Sequence, residues 1–228
     1  MTRSLINSSL RYALDFFAHH GFVLPEYSLW GLKDWLKNQD SCREIFAARL
    51  GWDVTDFGLN DFTKFGRTIF TLRNGVSGSD TYTKPYSQKV MCLRPGQESP
   101  LHYHQKKMED IINIAGGRIA ISMWLTDKNG KLSNNPLSIS RDGISLFLEA
   151  GNTIFLSPGQ SVTLPPRTCH RFWAQVGFPD VLSMEVSSVC DDLSDNIWLK
   201  PAERFPKITE DEDPLHLLCS DYSKFIPA

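Results

Sequence analysis

Two histidines two residues apart, followed by a glutamate and framed by glycines, are the residues of this chain best placed for chemistry. Their spacing is Gly96-x5-His102-x-His104-x4-Glu109-x6-Gly116. On a β-strand His102 and His104 leave the same face, about 7 Å apart at ~3.4 Å per residue. Glu109 follows the polar turn Gln105-Lys106-Lys107 and, read as the returning arm of a hairpin, meets the two imidazoles antiparallel. Gly96 and Gly116 mark the ends of that hairpin, where the chain must bend tightly. A second segment, Gly159-x5-Pro165-x4-His170, adds a fourth donor. Three neutral imidazoles and one carboxylate suit a borderline-to-hard divalent ion such as Mn, Fe, Co, Ni or Zn. A single His-x-His alone reads better as two ordinary histidines. Here two further donors stand at spacings that converge in a small closed barrel, and the metal reading is the stronger one. His19 and His20, at a predicted helix end, read as solvated or capping, and His216 as structural.

The elements that must position these donors change character along the chain. Over residues 1–50 the apolar positions Ile6, Leu10, Ala13, Leu14 and Phe17 recur at helical spacing, and Gly21 closes that segment. Ser28 is a candidate cap for a second helix through Trp30, Leu32, Trp35 and Leu36. Ser41, with Glu44 three residues on, is a candidate capping box for a third helix that ends before Gly51. From about residue 66, short alternating runs separated by Gly, Pro, Asn and Asp take over. They are 67–73, 88–93, 111–114, 118–125, 145–148, 153–156, 161–164, 171–176 and 181–187. Many short strands with frequent turn signals predict a mainly β barrel or jelly roll. The expected organisation is a helical N-terminal extension over 1–65 packed on a barrel over 66–228. The tail, with its acidic stretch Thr209-Glu-Asp-Glu-Asp-Pro214, is expected to wrap the surface.

The two glycine-bounded segments resemble the two motifs of the cupin superfamily. The second departs from the pattern, with Arg167 where the family has Gly and Ala174 where it often has Asn; neither change removes a donor. The resemblance implies a six- to eight-stranded jelly-roll barrel with the metal in its mouth. A narrower likeness extends over nearly the whole chain and is most specific between residues 85 and 206. It rests on the helical extension, Lys89 before the first motif, Pro100-Leu-His-Tyr-His-Gln-Lys-Lys-Met-Glu-Asp110, and Glu185-Val-Ser-Ser followed by Asp191-Asp192 and Asp195-Asn196. These features are similar to the bacterial D-lyxose isomerase family of cupins and, more distantly, to L-ribose isomerases. The resemblance implies a manganese-dependent aldose–ketose isomerase acting on D-lyxose and D-mannose, a homodimer, with Glu109 sharing in the proton relay while it ligates.

Such a reaction moves a proton between C2 and C1 while electrons shift between O1 and O2, and a divalent ion assists as a Lewis acid. Four protein ligands on a six-coordinate ion leave two adjacent positions for a bidentate sugar. A four-coordinate zinc held by the same groups would be closed and structural. The base is assigned to Glu185, in phase with Val181 and Ser183, on a strand read as partner to the one carrying His170; burial would make it a better base. A solvated, outward Glu185 is the alternative. Lys89, in phase with Met91 and Leu93, is an inward ammonium able to hold a substrate hydroxyl or developing oxyanion. Lys107 shares the face of Glu109, with a solvated turn as its alternative, and Lys106 points away. Arg204 is a weaker candidate for closing over the substrate.

Composition narrows the field further. The chain has 228 residues, a net charge of −2 and no apolar run near the ~20 residues that span a bilayer. Nothing predicts attraction to nucleic acid or anionic lipid. The charged Arg11 and Asp15 interrupt any signal-peptide core, and five cysteines without a C-x-x-C pair fit a reducing cytoplasm. Three rivals share the donor set or the sugar chemistry. A cupin dioxygenase would want an apolar pocket, and a phosphosugar isomerase a phosphate cradle, for which Arg167-Thr168 is a poor candidate. A non-catalytic sugar- or metal-binding module is the third.

Overall fold

The computed structural model describes residues 1–226. Helix α1 (Arg3–His19) forms where the apolar spacing predicts, and Gly21, at φ +68°, ends it. Short helices α2 (Leu32–Asn38) and α3 (Arg43–Ala47) follow. Neither serine caps as expected. Ser28 lies in a 3₁₀ turn over Glu26–Leu29, and α2 starts after Gly31, whose N–H donates to the Asp34 carboxylate at 3.0 Å. The Ser41 hydroxyl donates to the Asn38 carbonyl, and Glu44 pairs with Lys84 instead.

Residues 1–65 are not helical throughout. Strand β1 (Gly51–Thr55) pairs along its length with β2 (Arg67–Arg73), the short helix α4 (Phe62–Phe65) lying between them. The chain continues as β3 (Tyr86–Leu93), β4 (His102–His104), β5 (Glu109–Gly116), β6 (Ile119–Leu125), β7 (Leu137–Arg141) and β8 (Ile144–Leu148). Then come β9 (Thr153–Leu156), β10 (Ser161–Leu164), β11 (Thr168–Ala174), β12 (Val181–Ser188) and β13 (Asn196–Trp198). All ladders are antiparallel. One sheet runs β1-β2-β3-β12-β5-β10-β7-β8 and the other β13-β4-β11-β6-β9. The two face each other as the jelly-roll barrel that the strand spacing predicts.

Alternation decides what lies between the sheets. Met91 and Leu93 of β3, Ile111 of β5, Ile119 and Ile121 of β6 and Val181 of β12 fill the barrel core with their neighbours. The opposite face of β1–β3 is not left to water. Trp52, Val54, Phe70, Val90 and Cys92 pack there against Ile6, Leu10, Ala13 and Phe17 of α1. Each fully buried side chain of this size contributes roughly 1.5–3 kcal/mol. With α1 covering it, this sheet is buried on both faces where the site is built. The tail does more than wrap the surface: Leu217, Leu218 and Tyr222 are buried, and the Arg3 guanidinium bonds Glu210 and Asp221 at 2.8 Å each. The last helix, α5 (Tyr222–Phe225), packs beside Trp35. Among the described residues, no helix is long and apolar enough to cross a membrane, and all five cysteines are free thiols.

Candidate active site

The four predicted metal donors converge, but not across a hairpin. β4 pairs with β11 and β13, whereas β5 pairs with β10 and β12 of the facing sheet. The Gln105–Met108 turn therefore carries the chain from one sheet to the other, and Glu109 meets the imidazoles across the barrel interior. His170 stands directly opposite His102 in the β4–β11 ladder, so both rings leave on one face. Gly116 closes β5 at φ +88°, where an added Cβ would lie 2.1 Å from the Asp180 carbonyl oxygen. Arg167 takes φ +67°, so the residue standing in place of the motif glycine keeps a glycine-like backbone. Its N–H donates to the His104 carbonyl at 2.7 Å, which ties the two motif segments together.

One ring nitrogen from each of His102, His104 and His170 lies within 4.8 Å of the other two. Glu109 Oε1 stands 3.1 Å from His170 Nε2 and 3.4 Å from His104 Nε2. His102 Nδ1 is 2.8 Å from the Pro100 carbonyl and His170 Nδ1 3.0 Å from the Thr168 carbonyl. A carbonyl only accepts, so in the neutral rings Nδ1 carries the proton and Nε2 turns its lone pair inward. Burial first, then the neighbouring imidazoles, hold His102 well below the usual histidine range, and burial likewise lowers His104. At Glu109 burial pushes the other way, but the Lys107 ammonium prevails and keeps the carboxyl well below its ordinary range. Its Oε1 is buried with no hydrogen-bond donor. Lone pairs and a carboxylate oxygen thus face one another with nothing positive between them, an arrangement that a cation resolves. Donors about 2.1 Å from one ion and at right angles stand roughly 3 Å apart, as Glu109 does from two of the rings. The site fits a divalent metal.

Beside this cluster lies a chain of charges. Lys107 is buried, with Nζ 2.6 Å from Glu109 Oε2 and 2.9 Å from Glu185 Oε1. Burial opposes this ammonium, but Glu109 and Glu185 hold it well above the usual lysine range. The solvated alternatives for Lys107 and Glu185 do not hold, whereas Lys106 is exposed as expected. Glu185 reaches the site from β12, which pairs with β3 and β5 and not with the strand of His170. It faces Lys89 in the β3–β12 ladder, and the ions are 3.9 Å apart. Lys89 Nζ also contacts Cys190 Sγ at 2.9 Å and Asp192 Oδ2 at 3.4 Å. Arg204 pairs with Asp53 and, at 3.5 Å, with Asp192, and it lines the same cavity as the imidazoles.

Several contributors escape a reading of the sequence by spacing. Asp53, on the unpredicted β1, anchors Arg204. The Asp195 carboxylate accepts from the N–H groups of Lys106 and Lys107 at 2.8 and 2.9 Å and fixes the crossing turn. Trp198 lies with its ring centroid 5.0 Å from that of His102. The cavity at the donors is about 50 Å³, and a second one of about 180 Å³ shares Lys89 and Asp192 with it.

Comparison with known proteins agrees with this geometry. The D-lyxose isomerase family matches residues 1–222. The D-lyxose/D-mannose isomerase of Escherichia coli O157:H7 is 42% identical over 226 residues, covering 99% of this chain and 100% of that protein. That of Serratia proteamaculans is 40% identical over 227 residues, covering 99% and 100%. Among solved structures, Cellulomonas parahominis L-ribose isomerase with L-ribose superposes with a TM-score of 0.56 at 15% identity. That match covers 92% of this chain and 98% of the other, and it speaks to the cupin fold alone. With a match along almost its entire length, the chain belongs to the D-lyxose isomerase family and is a sugar isomerase.

Proposed function

We propose that the protein interconverts free aldoses and ketoses, D-lyxose with D-xylulose and D-mannose with D-fructose, by metal-assisted proton transfer through an enediol. The observation that carries this reading is the juxtaposition of the donor cluster with the Lys107–Glu185 pair, 2.9 Å apart in one buried cavity. His102, His104, Glu109 and His170 would hold the cation, Mn²⁺ by the family resemblance, with Co²⁺, Fe²⁺, Ni²⁺ or Zn²⁺ as substitutes. When bound, it would polarise the sugar carbonyl and offset charge developing on oxygen.

The remaining work falls to side chains. Glu185 takes the proton from C2 of the aldose and returns it to C1, giving the ketose through the enediol. Lys107, which touches both carboxylates, sets its positive charge beside the substrate oxygens while the hydroxyl proton of O2 passes to O1, so that no net proton is gained or lost. Glu109 joins that relay through Lys107 while its other oxygen faces the imidazoles. Lys89, which Asp192, Cys190 and Glu185 hold above the usual lysine range against its burial, remains an ammonium and binds a hydroxyl. Arg204 Nη1 is buried without a partner and offers a further donor.

The charged lining suits a polyol better than the apolar or thiol substrate of a dioxygenase. Among the described residues the arginines near the site are already engaged and form no phosphate cradle: Arg67 donates to the carbonyls of Gly66, Gln97 and Phe172, Arg204 is paired with two aspartates, and Arg167 bonds the Asp127 carbonyl. Free thiols support a reducing cytoplasm, and the resemblance supports a homodimer. The deciding experiment is turnover of D-lyxose and D-mannose in ²H₂O. Deuterium incorporated into the product and lost with Glu185→Gln supports proton transfer by this residue; turnover without incorporation would favour a hydride shift.

A further inference from the structure

We propose that Asn196 is a specificity-determining residue whose carboxamide binds a sugar hydroxyl beyond the reacting carbons C1 and C2; the assignment rests on the sugar-isomerase reading above. Strand β13 lies at the edge of the five-stranded sheet and pairs Asn196 with His104, Ile197 with Tyr103 and Trp198 with His102. Residues opposite one another in an antiparallel ladder share a face. Asn196 and Trp198 therefore project beside the two histidines, while Ile197 and Tyr103 turn to the other side. Both Asn196 and Trp198 line the cavity of the donor cluster.

Asn196 Oδ1 is buried there with no hydrogen-bond partner. Buried acceptors are rarely left unpaired, and one at the edge of a ligand cavity, on a residue that lines it, is a natural place for a ligand donor after a small turn of the carboxamide. The segment is held firmly. The Asp195 carbonyl and carboxylate accept from the N–H groups of Gln105, Lys106 and Lys107 at 3.2, 2.8 and 2.9 Å, and Leu199 N–H donates to the Leu101 carbonyl at 3.0 Å. Little ordering is then needed for the carboxamide to receive a ligand.

The chemistry of the group selects what it takes. A carboxamide offers an acceptor and donors together, as a hydroxyl does, and carries no charge that would call for an ion. The nearby cation of Arg204 is committed to Asp53 and Asp192. The indole of Trp198, two residues along, gives an apolar wall suited to the C–H face of a sugar ring or chain. The oxygens at C1 and C2 belong beside the imidazoles and Glu185, which leaves the later hydroxyls for β13. A site built to bond a hydroxyl discriminates strongly against an analogue that lacks it.

The test compares kcat/KM of the wild-type enzyme, Asn196→Ala and the near-isosteric Asn196→Leu on D-mannose and its 3-deoxy, 4-deoxy and 6-deoxy analogues. All are assayed at saturating Mn²⁺, with Mn²⁺ affinity and melting temperature measured in parallel. The wild type should lose about tenfold on one deoxy sugar, roughly the effect of one neutral hydrogen bond. Each variant should lose a similar factor on D-mannose and show no further loss on that same analogue, with Mn²⁺ affinity unchanged. An equal loss on every sugar, or a loss of Mn²⁺ affinity because Asn196 instead orients His104, overturns the assignment. If the wild type makes no ketose from any aldose, the reaction itself is wrong and the assignment falls with it; a uniform loss in the variants removes the assignment alone.

Discussion

Replacing Lys107 with Met should destabilise the metal-free protein far more than the same change at its neighbour Lys106. The Lys107 ammonium sits 2.6 Å from Glu109 and 2.9 Å from Glu185, with all three side chains largely removed from water. At an effective dielectric near 20, each contact is worth about 6 kcal/mol of Coulomb attraction before desolvation is counted. Removing one partner of a buried ionic set leaves uncompensated charge and costs about 3–5 kcal/mol. For a chain of this size that corresponds to a fall in melting temperature of roughly 6–20 °C. The assay is thermal unfolding followed by circular dichroism on protein stripped by chelator, repeated with excess Mn²⁺. Added metal should recover part of the loss, because a cation at the imidazoles also compensates Glu109. A Lys107→Met protein melting within 2 °C of the wild type in chelator would refute the reasoning, as would an equal effect of Lys106→Met, since Lys106 is exposed.

Other expectations follow from the same contacts. Glu185→Gln should lower kcat by about 10²–10⁴, the usual range for a lost general base, with Mn²⁺ affinity retained by equilibrium dialysis. His170→Ala should abolish tight Mn²⁺ binding measured by titration calorimetry, because His170 faces both His102 and Glu109. Glu210→Gln should weaken the clasp of the tail on α1. Hydrogen bonding from Arg3 pushes the Glu210 carboxyl down to about 2, below its unfolded value. A depressed carboxyl stabilises the fold above the unfolded pKa near 4.3 and loses that contribution as pH falls toward 2. The side chain is a third exposed, so the effect at pH 7 should be about 1 kcal/mol, and the gap from wild type in urea melts should close by about pH 2–3.

The donor set was legible because a period of two puts His102 and His104 on one face and glycines punctuate the segments around them. Spacing showed that Glu109 returns to the histidines, but not that its turn crosses between sheets. Only the ladders distinguish those two routes. β1 was missed because its pattern runs against the usual sense. Asp53 and Thr55 face inward with Ile69 and Arg67, while Trp52 and Val54 lie outward under α1. The run Gly51–Thr55 does alternate, but at five residues it is too short for its period to set it apart from the helical stretch before it. The phase of Glu185 can be read from its own strand, but the sheet it belongs to cannot, for the same reason as the turn. Three-residue strands such as β13 are too short to have a period at all, and Asn196 and Trp198 acquire meaning only from their partners, His104 and His102. Lys107 was ambiguous because lysine is rarely buried, and its two carboxylate partners come from distant parts of the sequence.

The most direct measurement is ketose formation from D-lyxose and D-mannose by enzyme freed of metal, with bound metal quantified, before and after addition of Mn²⁺. Turnover absent from the stripped protein and restored on addition of about one ion per chain is the expected result. Undiminished turnover by protein shown to contain no metal would contradict it.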